Sequence, residues 1–156
     1  MIRLRPLQIG DAGALHALVE ATGVFTPEEI GVACELIDSG EDDDYRLLVA
    51  EDQGAVAGYV CWGRALFSDG SWDLYWIAVH PDRQRQGVGG ALVAAAEADA
   101  RAEAGRTMLV ETASEPSYEP TRRFYERHGY AEVARLPDFY AVGDDKVIYA
   151  KRLDSA

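Results

Sequence analysis

The chain has 156 residues, of which 48% are hydrophobic and 10% aromatic, so it is large enough for one domain with a real core. Its formal net charge is −12, and residues 1–52 hold 12 acidic but only three basic side chains. A chain this acidic is a poor partner for nucleic acid, and no apolar run is long enough to cross a membrane.

The cysteines and the first residues indicate a compartment. Cys34 and Cys61 show no metal-binding spacing, and the first residues lack the apolar core of a signal peptide. We therefore expect a single cytoplasmic domain over residues 1–156, with no metal site and no nucleic-acid or membrane partner.

Hydrophobic periodicity and turn residues predict eleven elements. Thr26-Pro27-Glu28-Glu29 is a typical helix start, Asp11 is placed to cap the helix before it, and Gly105 is placed to end the longest helix. Asp52-Gln53-Gly54 is typical of a hairpin turn. The predicted elements are strand 2–6, helices at about 11–22 and 27–39, strands 45–50, 55–64 and 72–80, a helix at about 87–104, strand 106–112, helix 121–128 and strands 130–133 and 147–151, the last two joined across residues 138–145.

The order β-α-α-β-β-β-α-β-α-β-β predicts a mixed α/β fold, with one central sheet of about seven strands and about four helices. After the central strand comes a short run rich in Arg, Gln and Gly, residues 83–90. Its glycines let a ligand approach the backbone, and the free N–H groups at the helix start favour a phosphate. The run fits neither the G-x-G-x-x-G motif nor a P-loop. Alternatively, the glycines only allow the helix to start close to the strand.

The pattern Gln84-x-x-Gly87-x-Gly89, after Ile77-Ala78-Val79, resembles the acyl-CoA signature of the GNAT superfamily of N-acetyltransferases, and the element order matches that fold over nearly the whole chain. The resemblance implies that acetyl-CoA is the acyl donor. It also implies that the pantetheine arm lies between two strands that splay apart, those ending at Val79 and Thr112. The implied cofactor-binding residues are Ile77, Ala78 and Val79 for the pantetheine, and Arg85, Gln86, Gly87, Val88, Gly89 and Gly90 for the pyrophosphate.

Phe124-Tyr125-Glu126, followed by Gly129-Tyr130, is similar to the F-Y-E-x-x-G-F/Y segment of the same superfamily. The resemblance gives Tyr125 the role of general acid for the departing CoA thiolate, and a phenol with a reference pKa of about 10 suits that role. Alternatively, Tyr125 is a core residue. Many relatives carry an Asn where this chain has Tyr118, so the cofactor contacts of that corner stay open. Arg122 and Arg123 are weaker candidates for phosphate contacts.

Two carboxylates are candidates for the general base that receives the proton of the amine. Glu111 lies near the end of the strand before the Tyr125 helix, and Asp73 lies on the central strand. Each could equally be a structural partner of an arginine, and the reaction could need no dedicated base. No Cys or Ser stands in a recognisable triad, which favours direct transfer to the amine.

The resemblance implies an acceptor pocket built from the first two helices, their connection and the last hairpin. Those segments hold acidic and aromatic residues, which suit a cationic amine, either a small molecule or a protein amine. A non-catalytic acyl-CoA sensor and transfer of a longer acyl group are the alternative functions, and a homodimer would be ordinary for the superfamily. The pocket residues are Phe25, Glu28, Glu29, Asp138, Phe139, Tyr140, Asp144 and Asp145.

Overall fold

The structure, a computed structural model, describes residues 1–154, and within them it has seven strands and four α-helices in the predicted order. Short 3₁₀ turns precede α1, α3 and α4. The elements are β1 Ile2–Pro6, α1 Ala12–Ala21, α2 Pro27–Ser39, β2 Arg46–Asp52, β3 Ala55–Arg64, β4 Ser71–Val79, α3 Val88–Ala102, β5 Thr107–Ala113, α4 Glu119–Arg127, β6 Ala131–Ala141 and β7 Asp144–Arg152.

The strands form one seven-stranded sheet in the order β1-β2-β3-β4-β5-β7-β6. β4 and β5 pair in parallel, from Ser71 opposite Thr107 to Leu74 opposite Val110. The β1–β2, β2–β3, β5–β7 and β6–β7 pairs are antiparallel. The predicted mixed α/β fold with a central sheet is therefore confirmed.

The chain divides into two compact units, one of residues 1–63 and 75–96 and the other of residues 64–74 and from 97 onward. In the first unit, the apolar faces of α1 and α2 share a buried cluster with residues of β2, β3 and β4. The buried members of the cluster are Leu15, Leu18, Val19, Ala33, Ile37, Leu47, Val49, Tyr59, Cys61 and Ala78. Among residues 1–154, no helix is long and apolar enough to span a membrane.

Two local predictions are confirmed by hydrogen bonds and dihedral angles. At the start of α2, the Glu29 N–H donates to Thr26 Oγ1 (3.2 Å), and the Thr26 N–H donates to Glu29 Oε1 (2.9 Å), which makes a capping box. In the β2–β3 hairpin, Gln53 and Gly54 have φ of 52° and 81°. Two consecutive positive φ angles are typical of a type I′ turn, whose twist matches the flanking strands.

The predicted helix caps at Asp11 and Gly105 are wrong in their details. The Asp11 carboxylate accepts hydrogen bonds from both terminal nitrogens of Arg5 (2.8 Å each) and from the Gln8 N–H (2.7 Å), because a bidentate guanidinium is a stronger partner than a helix N–H. At the end of α3 the left-handed residue is Ala104 (φ 60°). Gly105 is the residue after Ala104, and its N–H donates to Ala100 O (2.8 Å).

The last hairpin is also longer than predicted. Residues 138–140, expected in the connection, lie inside β6, and Val142 and Gly143 alone join β6 to β7. Asp138 has a positive φ of 55°, and the pairing of β6 with β7 shifts register between Leu136 and Ala141. Residues 137–140 lie opposite Asp145 alone, so they form an irregularity in an edge strand instead of ending it.

Candidate active site

The residues expected to bind acetyl-CoA lie at the end of β4 and the start of α3, in the first unit. Ile77 and Val79 are half-buried, and Ala78 packs into the core of this unit. The strand ends at Val79, and the next residue is His80, whose backbone N–H donates to Ala57 O (2.8 Å) and whose Nδ1 accepts from the Asp82 N–H (3.1 Å). These bonds fix where the chain leaves the sheet.

The glycine turn, residues 84–90, joins this strand end to α3. Arg85 and Gly87 have positive φ of 65° and 85°, and the first bond closing onto the helix runs from the Ala91 N–H to Gly87 O (3.0 Å). The N–H groups of residues 88–90 precede that bond, so they are directed out of the helix start. Residues 84–87 are exposed, and a Cβ built on Gly87 meets no atom within 4 Å. The turn therefore fits a phosphate group.

Arg83 lies directly before this turn and Arg85 lies within it, and the two differ in their ion-pair partners. Arg83 Nε lies 3.4 Å from the Asp52 carboxylate. Arg85 is exposed, and among residues 1–154 no ion pair holds it. Arg85 is thus the cation of the turn that is available to a phosphate.

In the second unit, Tyr125 lies in the last turn of α4, and a Schellman motif fixes that turn. The Gly129 N–H donates to Glu126 O (3.1 Å), and the Tyr130 N–H donates to Tyr125 O (3.0 Å). Gly129 has a φ of 91°, as this motif requires at the position after the cap. The sequence Glu126-Arg127-His128-Gly129 therefore sets where Tyr125 stands.

The tyrosine cluster consists of Tyr125, Tyr130 and Tyr149. The Tyr125 ring is 3% exposed, and its centroid lies 5.7 Å from that of Tyr130 and 6.4 Å from that of Tyr149. Phe124 contacts it edge-on at 5.3 Å. Burial raises the pKa of Tyr125, so its phenol stays protonated at neutral pH, as a general acid must be.

A buried polar network lies beside this cluster, and the sequence reasoning missed it. Glu97 of α3 is 4% exposed; its carboxylate accepts the Tyr130 hydroxyl (2.8 Å) and the Lys151 ammonium (3.0 Å). Burial and then the Glu97 charge raise the pKa of Tyr130, which keeps its hydroxyl a donor. One signal was available: Glu97 follows Val93 by four residues, on the apolar stripe of α3.

The two carboxylates proposed as bases share one face of the sheet. Asp73 pairs with Leu109, and Glu111 follows Leu109 by two residues, so their side chains leave on the same side. Tyr149 is paired with Val110 and therefore faces the other side, where Tyr125 packs against it. The structure thus brings Asp73 and Glu111 to one face and Tyr125 to the opposite face of this part of the sheet.

Glu111 has an ion-pair partner that any base role must accommodate. The Lys146 Nζ lies 3.0 Å from Glu111 Oε2 and 4.4 Å from the centroid of the Phe139 ring. Half of the Glu111 side chain is exposed, whereas Lys146 is largely covered. Asp73 is half-buried.

The two arginines of α4 are engaged within the second unit. Arg122 donates to Ala113 O (2.7 Å) and Glu115 O (2.9 Å), which ties α4 to the end of β5. Arg123 pairs with Glu119 on the helix surface (2.8 Å). These bonds weigh against phosphate binding by either side chain. Tyr118 ends the 3₁₀ turn that precedes α4.

The described residues hold few candidates for a metal site or for a nucleophilic thiol. Among residues 1–154, no three His, Cys, Asp or Glu side chains converge as a metal site would require. Cys61 is buried, and burial raises its pKa to about 12; burial also raises the pKa of the half-buried Cys34. Neither thiol has the lowered pKa of a nucleophile.

Comparison with models of protein families shows which family the chain belongs to. Residues 43–132, more than half of the chain, match the model of the acetyltransferase (GNAT) domain. The chain belongs to the GNAT family of acetyltransferases. The matched residues include the glycine turn, both candidate bases and Tyr125. No curated protein matches the chain significantly.

Solved structures agree with the GNAT assignment. A GNAT-family protein from Desulfovibrio desulfuricans is 42% identical, with a TM-score of 0.92 over 98% of this chain and 99% of its own. The ribosomal-protein-S18-alanine N-acetyltransferase of Escherichia coli is 23% identical, with a TM-score of 0.79 over 100% and 96%. The yncA protein of Salmonella typhimurium, solved with its cofactor acetyl-CoA, is 19% identical, with a TM-score of 0.77 over 100% and 96%. The last two likenesses concern the GNAT fold alone.

Proposed function

We propose that this GNAT protein transfers the acetyl group of acetyl-CoA directly to a primary amine, with Tyr125 as the general acid. The amine nitrogen attacks the thioester carbonyl, the carbon–sulfur bond breaks, and the Tyr125 phenol gives its proton to the CoA thiolate. The amine loses one proton to a base or to water. The products are an N-acetyl amine and CoA.

The glycine turn supports acetyl-CoA as the donor. Its N–H groups, the dipole of α3 and Arg85, which has no ion-pair partner among residues 1–154, suit a pyrophosphate, and the open space at Gly87 leaves room for it. The backbone of Ile77–Val79 would pair with the pantetheine, and one N–H there would polarise the thioester carbonyl. A relative of this fold holds acetyl-CoA, which is consistent with this assignment.

Tyr125 is the observation that carries the proposal. A sensor of acyl-CoA needs the glycine turn but no acid, whereas this chain keeps a phenol at the family position, buried and fixed by the α4 end motif. Burial raises the pKa of that phenol, so it still carries its proton when the CoA thiolate departs and needs one. Because both thiols are buried or half-buried with raised pKa values, transfer through an acyl-cysteine is disfavoured.

Asp73 and Glu111 remain the candidates for the base. Their position on the sheet face opposite Tyr125 suits a reaction in which the amine and the thiolate exchange protons with different groups. Glu111 would share its carboxylate with Lys146 during the step. Comparison of Glu111→Gln with Asp73→Asn separates the two, because loss of the base lowers kcat chiefly at low pH, where the amine is mostly protonated.

The acceptor is proposed to be a cationic amine, small or protein-borne. The support is the acidic composition of residues 1–52, including the exposed Glu28. The last hairpin contributes less than its composition suggests, because Asp145 pairs with Arg135 (3.2 Å) and Lys146 covers a face of Phe139. The acyl chain length is proposed to be two carbons, with longer chains as the alternative.

The test is CoA release from acetyl-CoA against a panel of polyamines, amino sugars, amino acids and peptide N-termini, with wild type and Tyr125→Phe side by side. We expect turnover of a cationic amine, and a fall in kcat of about 100-fold or more in Tyr125→Phe. Acetyl-CoA binding, measured by calorimetry, should persist in the variant. Tight binding without turnover of any amine would favour the sensor, and absence of binding would overturn the assignment of the glycine turn.

A further inference from the structure

The buried carboxylate of Glu97 requires an explanation beyond packing. Removing a carboxylate from water is unfavourable unless strong partners compensate. Here it accepts hydrogen bonds from the Tyr130 hydroxyl and the Lys151 ammonium, and the Arg101 guanidinium lies 4.0 Å away as a further positive charge. They come from three parts of the chain, so the network links α3, the end of α4 and β7.

Tyr130 connects this network to the backbone of α4. Its hydroxyl is held by Glu97, and its backbone N–H closes the Schellman motif on the carbonyl of Tyr125. Its ring also packs edge-on against the Tyr125 ring, at 5.7 Å and 64°. Tyr130 therefore contacts the backbone and the ring of Tyr125 while its own far end is anchored.

We propose that Tyr130, anchored by Glu97 and Lys151, is a positioning residue for the general acid Tyr125. This inference rests on the proposed role of Tyr125. The neighbouring rings of Tyr125 are in contact with it at 5.3–6.4 Å, and such contacts set the tilt of a ring only loosely. A hydrogen bond to a buried carboxylate is directional and holds Tyr130 against it. A general acid must come within about 2.6–3.2 Å of its acceptor, so the anchor acts on the rate.

The test uses Tyr130→Phe, which keeps the ring and removes only the hydroxyl that reaches Glu97. We expect kcat to fall about 3- to 30-fold, less than the loss from a fully misplaced acid, with KM for acetyl-CoA within about twofold of wild type. The matched control is Tyr59→Phe, because Tyr59 is equally buried, at 2% exposure, in the core of the first unit. Its kcat should stay at the wild-type value. Glu97→Gln keeps an acceptor for the Tyr130 hydroxyl and should retain most of the activity, whereas Glu97→Leu should resemble Tyr130→Phe.

A double-mutant cycle separates positioning from general loosening of the fold. If Tyr130 acts through Tyr125, Tyr130→Phe should have almost no further effect on kcat in the Tyr125→Phe background. Equal fold losses in both backgrounds, or equal losses in Tyr130→Phe and Tyr59→Phe, would overturn the inference and leave the acid role intact. If Tyr125→Phe alone leaves kcat unchanged, the acid role fails, and the positioning inference fails with it.

Discussion

The glycine turn and the tyrosine cluster serve the proposed reaction by different physical means. The turn is exposed at residues 84–87 and works through backbone N–H groups, whereas the cluster is buried and works through side chains from separate elements. A backbone site can be built from seven consecutive residues, but a buried acid depends on long-range packing. We therefore expect substitutions in the turn to change KM for acetyl-CoA, and substitutions around the cluster to change kcat together with stability.

The largest effect in this comparison is expected from Gly87→Val. A β-branched residue at a φ of 85° adds about 1–3 kcal/mol of backbone strain, which the exposed turn relieves by changing shape. Binding of acetyl-CoA must then restore the original shape of the turn and so costs this strain energy. KM for acetyl-CoA should therefore rise about 5- to 150-fold while kcat changes little. The matched control is Gly54→Val at a φ of 81° in the β2–β3 turn, which should lower Tm without altering KM. Equal KM values for the two variants would contradict the role of the turn.

Gly129→Ala tests the other side of the comparison. Alanine at a φ of 91° costs about 1–2 kcal/mol, and the added Cβ lies 3.4 Å from Lys151 Cε, an ordinary contact. The last turn of α4 should shift, so we expect kcat to fall about tenfold with an unchanged KM for acetyl-CoA and a lower Tm. Gly40→Ala, at the positive-φ end of α2, is the control for stability alone. A change in KM rather than kcat would refute the division of roles.

The same contrast decides what the sequence can predict. The glycine turn, the Thr26 cap and the Gln53-Gly54 turn were predicted because each is encoded within a few neighbouring residues. The polar network was missed because Glu97 lies 33 residues from Tyr130 and 54 from Lys151, and only the folded sheet brings them together.

Predictions from local sequence are wrong where a residue has a stronger partner elsewhere in the fold. Asp11 looks like a helix cap from its neighbours, but Arg5 on β1 takes its carboxylate. Residues 138–140 look like part of the connection between the last two strands, but pairing with β7 continues past them to Ala141. Tertiary contacts thus decide those positions where a local signal has a stronger partner elsewhere.

Asp11→Asn tests whether acetyl-CoA binding at the glycine turn depends on the stability of the first unit, which carries that turn. The Arg5–Asp11 pair is about nine-tenths buried, so its loss should cost about 1–2 kcal/mol at neutral pH, between the values of exposed and buried pairs. Arg5 lowers the pKa of Asp11, so this stabilisation is full above the unfolded pKa of about 4 and is lost as the pH falls through the lower folded pKa.

Urea unfolding of wild type and Asp11→Asn should therefore differ at pH 7 and converge as the pH drops below about 4. KM for acetyl-CoA, measured at neutral pH where both proteins are folded, should be the same. A constant difference in stability across that range would contradict the assigned ion pair. A rise in KM would show that the turn depends on the packing around Asp11.

The smallest expected effect tests how much the side-chain charges at the glycine turn add to the binding by its backbone N–H groups. Arg83 is committed to Asp52, whereas Arg85 is not paired among residues 1–154. Arg85→Ala should raise KM for acetyl-CoA about threefold, in line with an exposed ionic contact, and the effect should shrink as salt screens the charges. Arg83→Ala should change KM less, because its guanidinium already has a carboxylate partner. Equal effects that salt does not alter would mean that the turn recognises phosphate through its N–H groups alone, which would make the contrast with the side-chain chemistry of Tyr125 sharper still.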